Sequence, residues 1–528
     1  MADRSDDVIS KLKNIAWHKG LRWELPSVTD AEDGVEALLR ECAALSPPQP
    51  QGDVNDVIAR SKDFPARFPI DSVRCCQLRT RVPEEHLTCN IRSTYPVLHE
   101  RTLFLMAEFL LHKRKHGSSV ERALYGALSL AGLLDRLLAR RALVFMKKQD
   151  VWVLLSGERG TGGWEDIGTD RETPPLVLSQ CLSYDELKLS ALLAVSGRTV
   201  CINDGHRKNK GIVMTEGIET DAVIMGIIGP RFQRPGRMEC EDLLITEQHN
   251  TEQNGYGADG KKEGTMRPVW ERFYQLPSAT FTSVSSLKPP VSPRDGRVFS
   301  ARYSRRPGAA TIILDAAAVH RRLTVLADVI LLEADSRAQE DGRMAFVNII
   351  GAGLGVWKIS PHQQELFVLS MLISAERLLR GGRLRHVADV NFAYIKPAPA
   401  VLKLFQKYED SEDNLEKYKL FFKQESHPNG GISIWLWSRE PAAALRGRRR
   451  GALAALTYAW DGNAHPGNEF WLGKLATSGD PAAACSTQVA ELHSASINTN
   501  VCARNTRVAS RFGLLHIGEY CRRVLGDK

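Results

Sequence analysis

The sequence predicts an α/β protein built on a mixed, largely parallel sheet with a mainly helical region ahead of it. Three observations carry this. Asp221 opens AVIMGIIG, an apolar run that ends at Gly229-Pro230, and Ala345–Ile350, Val387–Ile395 and Ile432–Trp437 are further short apolar runs; each reads as a buried strand. Helix-like sequence separates several of these runs, and strands alternating with helices make a parallel sheet covered on both faces. Residues 345–380 read as strand, glycine loop and capped helix in direct succession, and sheets of this kind bind ligands beyond the carboxyl ends of their strands.

Residues 1–175 read as a mainly helical domain, and 176–528 as the sheet domain. Glu100–His112 is a compact apolar helix signal, and Ser119–Phe145 carries leucines at helical spacing. Arg136, Arg140 and Arg141 are expected on its solvated face. Ser46-Pro47-Pro48-Gln49-Pro50-Gln51-Gly52 reads as a linker or a stiff loop. Ser183 and Glu186 form a capping box for a helix over Tyr184–Val195, followed by a short strand at Arg198–Ile202. Asn254-Gly255 is a tight-turn signal, and Trp270–Tyr274 is an aromatic cluster. Residues 288–296 are expected to be an exposed loop. Thr311–Leu314 and Val329–Leu332 are two more expected strands. Residues 409–418 are charged and expected to be solvated. Arg446–Gly451 is a basic knot that reads most simply as an exposed connection.

The chain has 528 residues, 43% of them hydrophobic and 25% charged, the balance of a soluble globular protein. Seventy basic residues against 62 acidic ones leave a net charge of +8, which suits an anionic ligand and does not mark a nucleic-acid protein. Ten cysteines include no C-x-x-C pair, so no zinc site is expected and the thiols read as reduced, cytoplasmic ones. The amino-terminal stretch lacks an apolar signal core, and no run approaches the ~18 apolar residues that span a bilayer.

Two loops carry the functional signal. The first is Gly351-Ala352-Gly353-Leu354-Gly355-Val356-Trp357, followed by Ser360, Pro361 and Gln363, which spell the start of a helix running to Arg380. Glycine amides beside a helix start suit a phosphate. A dinucleotide fingerprint is the competitor, but its third glycine would fall at Val356 and its glycines would open the helix directly. The second loop follows the strand Ala452–Trp460 and holds Asp461, Asn463, His465, Glu469 and Asp480 among glycines, asparagines and aromatic residues. It reads as a strand delivering carboxylates to a cleft. A metal site from Asp461, His465 and Glu469 is not expected, because loop spacing alone does not fix ligand geometry. Glu239, Glu241 and Asp242 read equally well as surface charges. Arg231 is open to pairing with them or with a phosphate. Trp435 and Trp437 read as core, and Cys485 lacks an adjacent base.

Four stretches resemble the MavL-like family: SYDELKLSALL with TVCINDGHRKNKG, GIIGPRFQRPGRMECEDLLITEQHNTEQNGYG, FVNIIGAGLGVWKI, and TYAWDGNAHPGNEFW with SGDPAAACST. They span about residues 180–500. The resemblance implies a macrodomain-like three-layer α/β/α core with ADP-ribose lying across the strand ends. It implies that Gly351, Gly353, Leu354, Gly355 and Val356 meet the diphosphate, with Trp357 near the ribose. Asp461, Asn463, Glu469 and Asp480 would face the distal ribose. The acid loop follows the glycine loop here, the reverse of an ordinary macrodomain. The implied activity is removal of ADP-ribose from protein side chains, arginine of ubiquitin among them, with ADP-ribose as ligand and no separate cofactor or metal. A non-catalytic ADP-ribose reader or scaffold is the alternative; the acids favour the enzyme. Glu469 or Asp461 would be the general base and the other would hold the ribose, an order that spacing leaves open.

Overall fold

In a computed structural model, residues 4–19, 22–285, 297–302, 311–409 and 415–526 are described. Eleven strands form the main sheet: β1 (Tyr95–His99), β2 (Leu193–Val200), β3 (Asp221–Ile227), β4 (Ala345–Ile350), β5 (Val387–Ala393), β6 (Gln406–Tyr408), β7 (Lys417–Lys423), β8 (Gly431–Trp437), β9 (Leu453–Ala459), β10 (Arg507–Ser510) and β11 (Gly513–His516). Their order is β6-β7-β8-β5-β4-β9-β3-β2-β1-β10-β11. The central run β8-β5-β4-β9-β3 is parallel throughout. Antiparallel pairs flank it on both sides, so the sheet is mixed with a parallel centre, as the alternation of strand and helix predicts. A smaller sheet joins Leu244–Thr246, Thr311–Asp315 and Val298–Arg302, and another joins Val144–Met146, Val151–Val153 and Arg159–Thr161.

Two long helices pack on each other, α1 (Ala316–Glu340) and α2 (His362–Arg380), and α1 lies against the main sheet. Asp315 starts α1 by accepting from the amides of Ala317 and Ala318, both at 3.1 Å. Before α2, Gln363 accepts from the amides of Ile359 (2.6 Å) and Ser360 (3.0 Å), the carboxamide half of the capping box the sequence spells. The sheet is covered on both faces. Ser196 and Thr199, an odd number of positions apart on β2, point to opposite faces. Ser196 reaches Glu333 on α1 (2.6 Å), whereas Thr199 reaches Gln488 beside helix Val489–Leu492 (3.0 Å).

Several expected elements differ. Val329–Leu332 lies inside α1, which is buried around most of its circumference. A helix enclosed on all sides loses its polar stripe, and its apolar run then mimics a buried strand. The helix at Tyr184 ends at Ser190 and the chain enters β2 at Leu193. The stretch Ser119–Phe145 breaks into helices Ser119–Ala127 and Leu130–Ala139 and then a strand from Val144. Arg140 is exposed, but Arg136 and Arg141 are buried. Arg136 forks onto Glu186 at 2.6 and 2.9 Å. Thr311–Asp315 is a strand, though of the smaller sheet. Residues 288–296 and 410–414 lie outside the described residues.

The amino-terminal region shares the main sheet. Strand β1 pairs with β2 on one side and β10 on the other, and one hydrophobic core runs from Val8 to Cys521. Residue 175 therefore does not divide two hydrophobic cores. No helix among the described residues is long and apolar enough to cross a membrane.

Glu333 fastens α1 beneath this junction. Its carboxylate takes Arg337 (2.7 Å), Tyr95 (3.0 Å) and Ser196 (2.6 Å), all buried. Glu333→Ala strands the Arg337 charge, so the stability measured by urea unfolding should drop by about 3–5 kcal/mol. An unchanged midpoint would show that the anchor contributes nothing.

Candidate functional site

Three loops leave the carboxyl ends of three adjacent parallel strands, β4, β9 and β3, and meet. The glycine loop follows β4, the acid loop follows β9, and Ile228-Gly229-Pro230-Arg231 follows β3. Thr457 on β9 ties the first two together: its hydroxyl donates to the carbonyl of Asn348 (3.1 Å) and accepts from the amide of Ile350 (3.0 Å). Gly229 brings in the third, because a Cβ there would sit 2.2 Å from the carbonyl carbon of Ala352 and 2.3 Å from the amide of Gly353. Only glycine permits that approach.

In the glycine loop Gly353 is buried and adopts φ +79°, while Gly355 is exposed and Val356 is 83% exposed. Gly351, Leu354 and Trp357 are half-buried. The loop thus passes from the core to an exposed tip within a few residues of the α2 start.

In the acid loop the sequence-predicted residues come together. The Asp461 amide donates to Asp480 Oδ2 (3.0 Å). Asp461 Oδ1 accepts from the Asn463 amide and side chain, both at 3.2 Å, and Oδ2 accepts from Asn468 Nδ2 (2.8 Å). Burial raises the Asp461 carboxyl above its ordinary range, and the nearby Arg231 guanidinium pulls it back. Glu469 is half-exposed; burial raises it, and the charge of Asp461 raises it further. Asp480 is held well above the usual carboxylate range by burial, with Asp461 and Glu469 adding repulsion. Three carboxyls within electrostatic reach of one another, all shifted upward, can divide protonated and ionised roles near neutral pH. Asn463 Oδ1 and Asp480 Oδ1 are buried without a hydrogen-bond partner.

His465 stands apart from this set. Its Nδ1 lies 3.3 Å from the Ala142 carbonyl, and burial lowers the imidazole to about 4, so it stays neutral. Burial raises the Cys485 thiol to about 12, which leaves no thiolate for catalysis. Trp435 and Trp437 are core residues.

Acids that the sequence left open between site and surface hold the site's frame. Glu239 is buried, binds Arg322 on α1 and accepts from the Arg231 amide (3.0 Å). Arg322 also donates to the carbonyl of Ile228 (2.8 Å) at the end of β3. Glu241 and Asp242 engage Lys188 and Arg267. In the basic knot Arg446, Arg448 and Arg450 are exposed as expected, but Arg449 is buried against Trp435, with its guanidinium 4.6 Å from the ring centre.

Three residues of the site, Arg141, Asn468 and Phe145, escaped sequence reasoning, and a fourth, Arg231, was left open between the nearby acids and a phosphate. Arg141 lies over the Trp460 ring at 4.1 Å. Asn468 exchanges hydrogen bonds with the Phe145 backbone at 3.1 and 3.3 Å, which joins the acid loop to the amino-terminal region. Phe145 in turn packs under Arg231 at 4.8 Å. Arg231 Nη1 lies 3.8 Å from Asp461 Oδ1, and its Cζ is 5.9 Å from the Trp357 ring centre. It therefore stands between the two loops. Its position straight after a strand-ending Gly-Pro was the available signal; Phe145 and Arg141 had none.

The family model described as ADP-ribosylhydrolase MavL-like matches residues 55–523. Among curated proteins, the Drosophila melanogaster ADP-ribosylarginine hydrolase CG3568 is 37% identical over 97% of this chain and 96% of its own length. The Drosophila melanogaster ADP-ribosylarginine hydrolase CG2909 is 36% identical over 92% of this chain and 93% of its own. The chain belongs to the MavL-like ADP-ribosylhydrolase family.

Asp480 makes the carboxyl cluster costly at neutral pH. A carboxyl whose pKa is raised by folding stabilises the fold below its unfolded value, and that contribution is lost as pH rises through the folded value. Each unit of elevation costs about 1.4 kcal/mol once the group ionises. Asp480→Asn keeps an acceptor for the Asp461 amide and removes the charge. Between about pH 5 and pH 8 the melting temperature of the native protein should fall relative to this variant; parallel curves would mean that Asp480 is not elevated.

Proposed function

We propose that this member of the MavL-like ADP-ribosylhydrolase family removes ADP-ribose from modified protein side chains, with arginine as the linked residue. The observation that carries the reading is the meeting of a glycine-amide loop and a three-carboxyl loop at one rim of a parallel sheet. The names of the two fly relatives support arginine as the linkage. Ubiquitin is the carrier that the family resemblance suggests. All ten cysteines are free, in keeping with a reducing, cytoplasmic setting.

In this reading Gly351, Gly353, Gly355 and Val356 hold the diphosphate through backbone amides near the α2 start, Leu354 shapes the loop through its amide hydrogen bond to the Gly351 carbonyl (3.0 Å), and Trp357 packs at the ribose. The distal ribose then faces the acid loop. Breaking the bond between its C1″ and the arginine nitrogen develops positive charge on the ribose carbon, which nearby carboxylates stabilise. Asp461, with both oxygens held by Asn463 and Asn468, orients the ribose hydroxyls. Half-exposed Glu469 takes a proton from the attacking water. The water oxygen bonds to C1″ as the C–N bond breaks, and the proton passes on to the released guanidine. Asp480 keeps its proton and steadies the Asp461 backbone.

Incubation with an ADP-ribosylated arginine peptide should release free ADP-ribose. Asp461→Ala and Glu469→Ala should each lower turnover by roughly 10²–10⁴. Tight ADP-ribose binding without any release, across differently linked substrates, would instead make the protein a reader. Because burial and Asp461 raise Glu469, the rate should climb with pH through a value above the ordinary glutamate pKa of about 4.3. Glu469→Gln should abolish that limb; a limb that survives the substitution assigns the base elsewhere.

A further inference from the structure

We infer that Arg231 is the side-chain fork for the diphosphate of the ligand, an inference that rests on the reading of this rim as an ADP-ribose site. Arg231 is 2% exposed, yet Nε and Nη1 have no hydrogen-bond partner. Nη2 donates to Gln233 Oε1 at 3.2 Å. The nearest anion, Asp461 Oδ1, lies 3.8 Å from Nη1, too long for a hydrogen bond. A buried guanidinium with two idle donors is an expensive arrangement that folded proteins seldom keep without a use.

The position explains the use. Glu239 holds the Arg231 amide at 3.0 Å, and Pro230 packs on Gly353, so the residue is fixed against the glycine loop. The guanidinium carbon lies 4.8 Å from the Phe145 ring centre and 5.9 Å from that of Trp357, so both rings neighbour it. Nη1 lies on the Cδ side of a guanidinium, so the pairs that meet two phosphate oxygens in parallel are Nε with Nη2 and Nη1 with Nη2. Nη2 carries two protons and gives one to Gln233, which leaves the other to complete such a pair with an idle neighbour. Backbone amides of the glycine loop supply directional donors but no full charge. Arg231 is the cation at this rim that touches both loops, and a diphosphate carries the charge that answers it. Neither idle nitrogen is exposed to solvent, so phosphate binding requires the side chains around the guanidinium to shift. Asp461 stays close enough to share the charge, and phosphate binding would thereby loosen its grip on that carboxylate.

The test is calorimetric binding of ADP-ribose, ADP and adenosine to the full chain. Arg231→Lys keeps the charge and loses the fork. The expected result is a loss of roughly tenfold or more in affinity for ADP-ribose and ADP, with adenosine binding unchanged. Unchanged ADP affinity in this variant would overturn the inference, whatever happened to turnover, and would leave Arg231 as a partner of Asp461 alone. Should Arg231→Lys fail to fold, Gln233→Ala decides. It removes only the acceptor of Nη2, and a few-fold weaker ADP affinity supports the fork whereas no change overturns it. If the native protein binds neither ADP-ribose nor ADP, the reading of the whole rim fails, a result distinct from failure of the fork.

Discussion

Strand Leu453–Ala459 pairs in parallel with Ala345–Ile350 on one side and Asp221–Ile227 on the other, and the site depends on this register. Parallel neighbours end at the same edge of a sheet, so loops that follow them must crowd together. The glycine loop, the acid loop and Arg231 belong to segments more than a hundred residues apart in sequence, and this pairing makes them neighbours. Thr457 and Gly229 then tighten the arrangement, one through hydrogen bonds across strands and one by leaving out a side chain. An antiparallel Leu453–Ala459 would send its acids to the opposite edge.

Around that edge the chain buries its charge in pairs that join distant segments. Glu239 connects Arg322 on the long helix to the backbone of Arg231. Glu333 connects the same helix to Tyr95 and Ser196 in the sheet, and Arg136 reaches Glu186. Buried pairs of this kind contribute little net stability, since desolvation offsets most of their attraction. They do penalise any packing that separates the partners. Arg231 differs from the rest in keeping two donors without partners.

The amino-terminal region is part of this frame. It contributes the strand Tyr95–His99 to the main sheet, and Phe145 both braces Asn468 of the acid loop and underlies Arg231. A helical region that looked separate by composition therefore lines the site, which agrees with a family match beginning at residue 55. Changes near Phe145 would be felt at the carboxyl cluster through the Asn468 bonds.

Local chemistry was legible wherever neighbours in sequence decide it. The Ser183–Glu186 capping box, the apolar strands at 221, 345, 387 and 432, the glycine loop and the clustering of Asp461, Asn463, Glu469 and Asp480 all follow from residue type at short spacing. Burial was not legible. Val329–Leu332 reads as a strand because a helix enclosed on every side carries no polar stripe. Arg136, Arg141 and Arg449 read as surface charges, and Glu239 was open to the same reading, because their partners lie far along the chain or on other elements. By itself the sequence marked out a glycine-rich loop and a loop dense in carboxyl groups. Only the tertiary structure decided that they share one edge and that Arg231 stands between them, because pairing order and desolvation depend on contacts between segments that no local pattern records.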